Sequence, residues 1–424
     1  MVIGALGWWL LPDSKDSAEV VDAVAELPAG EPLAVPELVG VVDTQDEALR
    51  EVVEVAPKPE PVLEPSAVMP KAEPDPEPEL VEKALGVDIE ALVPELAGTD
   101  RELVMKMHRL FDDYDVPEAG VVVLDIKTGK VLAEVGHRNG QSERAAANQA
   151  RWPGASIFKI VTASALLKVG IRPEDQWCFD GGFRKLTLRD VKGKTGATCS
   201  SFATSFARSY NVPFGRWADR RLSPASLADQ ASKLGFGSAA SLGMIAGASK
   251  RAQLPTERLE FAQAAAGFGD IELSALHGAM LASLVASGGV ATEPRYDDKT
   301  KVVRQRLLPI GRAKALQAMM VKTVASGSAR RAFREHGRSV MRKDGAGGKT
   351  GSLSVKGRDL SWFVGFAPAD NPKVAVGAYV ANHPTWRIRA TYVGREALRS
   401  AIYGTTPYRP RSASAAAGTR PDGS

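Results

Sequence analysis

The sequence predicts an α+β domain: one antiparallel sheet flanked by helices, joined to a mostly helical subdomain. Three observations lead there. A β-rich hairpin opens the domain at residues 120–125, and three strand candidates (349–355, 360–366 and 373–380) close it. Between them, from Ser156 to about Ser287, the chain reads as Ala- and Leu-rich helices punctuated by Gly and Pro. Strands at both ends with helices inserted require the two ends of the domain to share one sheet.

Composition narrows the class. The chain has 424 residues, 44% hydrophobic and 25% charged, with 40 Gly, 27 Pro and two Cys. That is a soluble globular enzyme with surplus proline, and it excludes a collagenous, coiled-coil or multi-span membrane protein. Residues 1–12 carry no charged side chain and include Trp8 and Trp9. They are expected to be a membrane-anchor or signal remnant, because as a helix they would reach only about 18 Å into a hydrocarbon core of about 30 Å. From Asp13 to Leu80 there are 11 Pro and 18 acidic residues against four basic ones, a net charge of −14. Runs such as Glu73-Pro74-Asp75-Pro76-Glu77-Pro78 break the helical ladder and repel themselves, so residues 13–98 are expected to be an extended, disordered spacer. Because the whole chain is only +4, this segment hides a body of +18. A basic body suits nucleic acid, an anionic surface or an acidic polymer. No zinc-finger spacing or aromatic RNA signature is present and the arginines are scattered, so no nucleic-acid partner is expected.

The folded unit is expected over residues 99–404, followed by an Arg-, Ser- and Ala-rich disordered tail at 405–424. Asp100 reads as the cap of a helix that presents Leu103, Val104, Met107 and Leu110. Lys127-Thr128-Gly129 turns the first hairpin, and residues 130–135 return. Cys178 and Cys199 bracket a Gly-containing excursion and, in an exported protein, are expected to close a disulfide; buried free thiols are the alternative.

Chemistry concentrates in three places. Ser156-Ile157-Phe158-Lys159 follows Pro153-Gly154, which marks a helix start, and the next residues are apolar nearly all round, as in a buried helix. Ser and Lys at i and i+3 share a helical face. A desolvated Lys beside another cation loses enough basicity to deprotonate a Ser in the first turn. Alone, Ser-x-x-Lys is weak evidence, since two common residues produce it by chance. Ser209-Tyr210-Asn211 ends an apparent helix that begins near Ser201; Ser209 would relay a proton and Asn211 hold a substrate amide, or the pair would merely cap the helix. Lys-Thr-Gly occurs twice. Lys194-Thr195-Gly196 lies in a Gly- and Lys-rich loop, whereas Lys349-Thr350-Gly351-Ser352 opens a strand, whose rigid edge would bring Lys349 close to Ser156. Neither copy has the upstream glycine of a phosphate loop, so nucleotide binding is rejected. Five scattered His and the absence of Cys-x-x-Cys leave no expected metal site, and no cofactor is called for.

In the order Ser-x-x-Lys, Ser-x-Asn, Lys-Thr-Gly, with first serines 53 apart and 140 residues from Ser209 to Lys349, the motifs are far more specific than singly. The chain resembles the transpeptidase domain of the penicillin-binding proteins, which share the serine β-lactamase-like fold. Val122 to Leu132, Trp152 to Lys159, Ser209 to Phe214, Gly267-Phe268-Gly269 and Ser361 to Pro368 extend the likeness. The resemblance implies acyl transfer on peptidoglycan stem peptides. Ser156 would be the nucleophile, Lys159 its base, and Ser209 and Asn211 the proton relay and substrate contact; Lys349, Thr350, Gly351 and Ser352 would receive the terminal carboxylate. It also implies β-lactams as covalent inhibitors, cell-wall synthesis partners, and a site on the periplasmic face of the cell membrane. The alternatives are a D,D-carboxypeptidase, a β-lactamase, or a non-catalytic β-lactam sensor. Ser352 stands where Thr is commoner, and the chain before residue 99 is expected to hold neither a glycosyltransferase domain nor a folded pedestal.

Overall fold

The computed structural model describes residues 100–180, 185–193, 196–237, 247–250, 252–384 and 387–405. The apolar start, the acidic spacer, the tail from residue 406 and the first Lys194-Thr195 pair lie outside the described residues.

Helix α1 (Arg101–Asp113) begins at Asp100, whose carboxylate accepts the Leu103 N–H at 3.0 Å, and places Leu103, Met107, Leu110 and Phe111 on one buried stripe. Strands β1 (Glu118–Asp125) and β2 (Val131–Arg138) form the first hairpin, and β3 (Gln141–Ser142) extends it. Near the C-terminus, β4 (Gly347–Val355), β5 (Arg358–Ala367) and β6 (Val374–Asn382) follow as an antiparallel meander. β6 then pairs with β1, Val122 opposite Gly377, so the six-stranded order is β4-β5-β6-β1-β2-β3. Both ends of the domain share one sheet, and β4 is its edge.

Period-2 alternation explains how strands that are apolar at every position serve two cores. Val121 and Val123 point into a layer with Leu103, Phe111, Val393 and Leu398, while Val122 and Leu124 point into a second core with Ile160, Leu276 and Leu281. Helices α1 and α8 (Ala390–Tyr403) cover the first face. The second is covered by the central helix α6 (Ala275–Ala286), buried along almost its whole length because it is apolar all round. The helical subdomain contributes α2 (Lys159–Lys168), α3 (Phe202–Arg208), α4 (Asn211–Arg221), α5 (Arg258–Ala265) and α7 (Ile310–Ala325). Cys178 and Cys199 face each other across the two short strands Gln176–Phe179 and Thr198–Ser201 and are joined by a disulfide. The second of these strands runs directly into α3, whose N-cap is Ser201.

Candidate active site

The chain before Ser156 is fastened to the sheet on two sides. Trp152 and Pro153 pair with Leu273 and Glu272. The Trp152 indole donates to Glu118 Oε1 at 2.9 Å, and the Trp362 indole, from β5, donates to the Pro153 carbonyl at 2.9 Å. Ala155 then takes a left-handed turn (φ 47°) into one 3₁₀ turn, Ala155–Phe158, which continues as α2. Ser156 is the half-buried residue of that turn, with Ile157, Phe158 and Lys159 buried behind it. Gly267 closes against it from below. Its φ is +92°, and a Cβ there would fall 2.3 Å from the Ala155 carbonyl oxygen and 2.9 Å from Ser156 Cα. Gly351, from β4, packs on the other side, with room for a Cβ only 3.1 Å from the Gly154 carbonyl oxygen.

Lys159 is fully buried, and its Nζ lies 3.0 Å from Ser156 Oγ, 2.8 Å from Asn211 Oδ1 and 2.5 Å from the Ala266 carbonyl oxygen. Burial, reinforced by the charge of Lys349, holds its amine well below the ordinary lysine range. A neutral amine has two N–H donors and one lone pair. With Asn211 Oδ1 and the Ala266 carbonyl oxygen accepting its two N–H groups, a neutral Lys159 would leave the lone pair for the Ser156 hydroxyl. This arrangement puts an amine of lowered basicity in contact with the Ser156 hydroxyl, the geometry that a serine nucleophile and its base would need.

Lys349 stands on the edge strand, also fully buried, and burial pushes it down to about 7. It donates to Ser209 Oγ at 2.8 Å and to the Thr350 carbonyl oxygen at 2.8 Å. Ser209 reaches it because it ends α3 in the left-handed conformation (φ 59°, ψ 37°), which breaks the helix just before α4 starts at Asn211. Ring faces back both amines: Phe214 lies 5.5 Å from Lys159 Nζ and Phe206 lies 5.6 Å from Lys349 Nζ. The fold therefore assembles Ser156, Lys159, Ser209, Asn211 and Lys349 from three separate segments. Thr350 is half-buried and Ser352 is exposed further along the same edge.

Two participants carry no motif. The Ala266 carbonyl acts through the backbone, so no residue type announces it. Ser328, in the loop after α7, shares a 2.6 Å hydrogen bond with the Thr350 hydroxyl while its N–H donates to the Ala207 carbonyl at 2.9 Å, bridging the end of α3 to β4. The adjacent Gly327 was its only sequence signal, a Gly-Ser turn after a long helix.

A family profile described as penicillin binding protein transpeptidase domain matches residues 119–398. The chain belongs to the penicillin-binding protein transpeptidase family. Penicillin-binding proteins also dominate its structural neighbours. The chain superposes on penicillin-binding protein A from Mycobacterium tuberculosis with a TM-score of 0.56 at 20% identity, covering 71% of this chain and 79% of that one. The transpeptidase domain of penicillin-binding protein 3 from Burkholderia pseudomallei gives 0.57 at 18% identity, covering 73% and 94%. A D,D-transpeptidase domain of a peptidoglycan glycosyltransferase from Eggerthella lenta gives 0.57 at 19%, covering 72% and 81%. At these identities the likeness is one of fold. No curated protein matches the sequence. As a penicillin-binding protein of the transpeptidase class, the chain belongs to a family of acyltransferases, which is the chemistry that a serine in contact with a neutral amine would serve.

Proposed function

We propose that this penicillin-binding protein is a peptidoglycan D,D-transpeptidase working through a Ser156 acyl-enzyme. One observation carries the reading: the buried Lys159 Nζ, whose basicity burial lowers, lies 3.0 Å from Ser156 Oγ and is held there by Asn211 Oδ1 and the Ala266 carbonyl. Ser156 Oγ attacks the carbonyl between two terminal D-alanines, and its proton passes to Lys159 Nζ. The backbone N–H groups of Ser156 and Ser352 receive the developing oxyanion, where one donor is typically worth about 10²-fold in rate. The C–N bond breaks as Ser209, hydrogen-bonded to Lys349, gives its hydroxyl proton to the departing amine and is refilled with the proton that Lys159 took from Ser156, so both groups end the half-reaction as they began it. Lys349, with Thr350 and Ser352 beside it, holds the terminal carboxylate, and Asn211 holds the donor backbone. An amine of a second stem peptide then attacks the ester, gives up a proton, and restores the Ser156 hydroxyl.

The two lysines support this division of labour. Close cations in a dry site do not both stay charged, so Lys159 is neutral and basic while Lys349 keeps the cation for a carboxylate. Penicillin-binding protein A from M. tuberculosis, a fold neighbour, has been solved as an imipenem acyl-enzyme, which supports the same covalent chemistry at Ser156. The disulfide supports a domain held in an oxidising compartment, on the outer face of the membrane and tethered by residues preceding Asp100. Among the described residues no helix is long and apolar enough to cross a membrane.

The test is intact mass over hours with benzylpenicillin, followed by turnover of a stem-peptide donor with an amine acceptor. A persistent one-to-one adduct that Ser156→Ala abolishes, together with cross-linked product, is the expected result. An adduct that clears with drug consumption would point to a β-lactamase, loss of D-Ala without cross-linking to a carboxypeptidase, and acylation without peptide turnover to a sensor.

A further inference from the structure

On the layer formed by α1 and α8, away from Ser156, a second recess of about 650 Å³ opens between these helices and the hairpin formed by Arg334–Glu335 and Arg338–Ser339. Its lining is unusually charged for an interior. Lys106 and Arg395 have side chains only 5% exposed, and each takes part of a single buried carboxylate, Glu396. Glu396 lies 3.4 Å from Lys106 Nζ, 2.8 Å from Arg395 Nη2 and 3.1 Å from Arg399 Nη2, so one anion serves three cations. Glu335, on the exposed hairpin, offers Arg395 a second carboxylate at 2.9 Å. Arg338 adds a fourth cation, and its guanidinium has no ion pair or hydrogen bond among the described residues. His336 lies beside it, likewise without a partner.

Four cations against two carboxylates leave the recess with an excess of two positive charges, some of it on buried groups that solvent screens poorly. Burial holds the Lys106 amine below the ordinary lysine range; Glu396 opposes that shift, while Arg399 and Arg395 reinforce it. Arg395 is taken up by Glu396, Glu335 and the Ala332 carbonyl, and Arg399 is held on Glu396, so both act on a ligand as fixed charges while Arg338 offers the fork. The hydroxyl of Ser339 completes a lining of donors.

We propose that this recess is a binding site for a phosphate-bearing anion. A dianionic phosphate offsets the excess charge, whereas a carboxylate leaves half of it, and guanidinium forks match phosphate oxygens in pairs. The volume is that of a small-molecule site and exceeds a bare phosphate, so the phosphate is carried on a larger group: a soluble phosphoester or a phospholipid headgroup.

The test uses the full chain, with inorganic phosphate followed by calorimetry at constant ionic strength, and with sedimented vesicles of phosphatidylglycerol against phosphatidylcholine. Arg338→Glu is the variant. Its side chain sits exposed on the hairpin with no ion pair or hydrogen bond among the described residues, and the change is expected to leave penicillin labelling of Ser156 intact, which reports on the fold independently of the ligand. Saturable phosphate binding that weakens about tenfold or more in Arg338→Glu, and less in Arg338→Lys, supports a site for soluble phosphate compounds. Binding to phosphatidylglycerol vesicles alone, lost in Arg338→Glu, supports the site with a headgroup as its source. No binding of either probe, or equal binding by wild type and Arg338→Glu, overturns the proposal.

Discussion

Lys349→Met should make the protein more stable at neutral pH while abolishing acylation. Lowering an amine from 10.5 to about 7 by burial means that the cationic form gives up about 5 kcal/mol when the chain folds, at 1.36 kcal/mol per pH unit. Methionine fills most of the same space without that cost. It loses the hydrogen bonds to Ser209 and to the Thr350 carbonyl, about 1 kcal/mol each. The expected gain below pH 7 is therefore about 3 kcal/mol. The pH dependence is the sharper test. The folded pKa is depressed, so between about 7 and 10.5 the unfolded chain holds a proton that the folded one lacks. Wild-type stability accordingly rises with pH across that window, by about 1.4 kcal/mol per unit from Lys349, and the variant lacks that increment. The two stability curves should cross near pH 9, read from urea unfolding at half-unit steps from pH 6 to 9.5. A variant less stable than wild type at pH 6, or curves that run parallel from pH 7.5 upward, would refute the reasoning.

Three other outcomes follow from the same geometry. The second-order acylation rate with benzylpenicillin should fall about 50-fold from pH 7 to pH 9 as Lys349 loses its charge, with an acid limb where Lys159 gains one; a rate still flat at pH 9 would remove Lys349 from carboxylate binding. Gly267→Ala forces a side chain into left-handed backbone and into the Ala155 carbonyl, so it should cost about 1–3 kcal/mol and slow acylation at least tenfold, measured by thermal unfolding and intact mass; wild-type rates would show that the turn below Ser156 does not position it. Replacing Cys178 and Cys199 with serine opens a loop of sequence separation 21 and should lower stability by about 3 kcal/mol in denaturant titrations, with an unchanged midpoint counting against any role in holding α3.

Much of the fold was legible because its signals are local. Asp100 as a helix cap, the Lys127-Thr128-Gly129 turn and the apolar runs of the three C-terminal strands each depend on neighbours a few residues away. The motif order also singled out Ser156, Lys159, Ser209, Asn211 and Lys349, because side-chain chemistry at a motif is written in residue type. The Ala266 carbonyl and Ser328 were not legible. Every residue has a carbonyl, and a serine after a helix is ordinary, so only their positions in space give them meaning.

By itself the sequence determined the α+β order of elements, a strongly basic body after an acidic, Pro-rich stretch, and the motif residues on which the acyl-transfer proposal rests. These are properties of residue type and period. The tertiary structure decided the state of those groups. Lys159 and Lys349 are the same residue in the sequence, and they differ here because one is buried against three hydrogen-bonding atoms beside a cation while the other lines the sheet edge next to Ser209. Desolvation and through-space charge depend on distance, and segments 140 residues apart come to 2.8 Å only when the chain has folded.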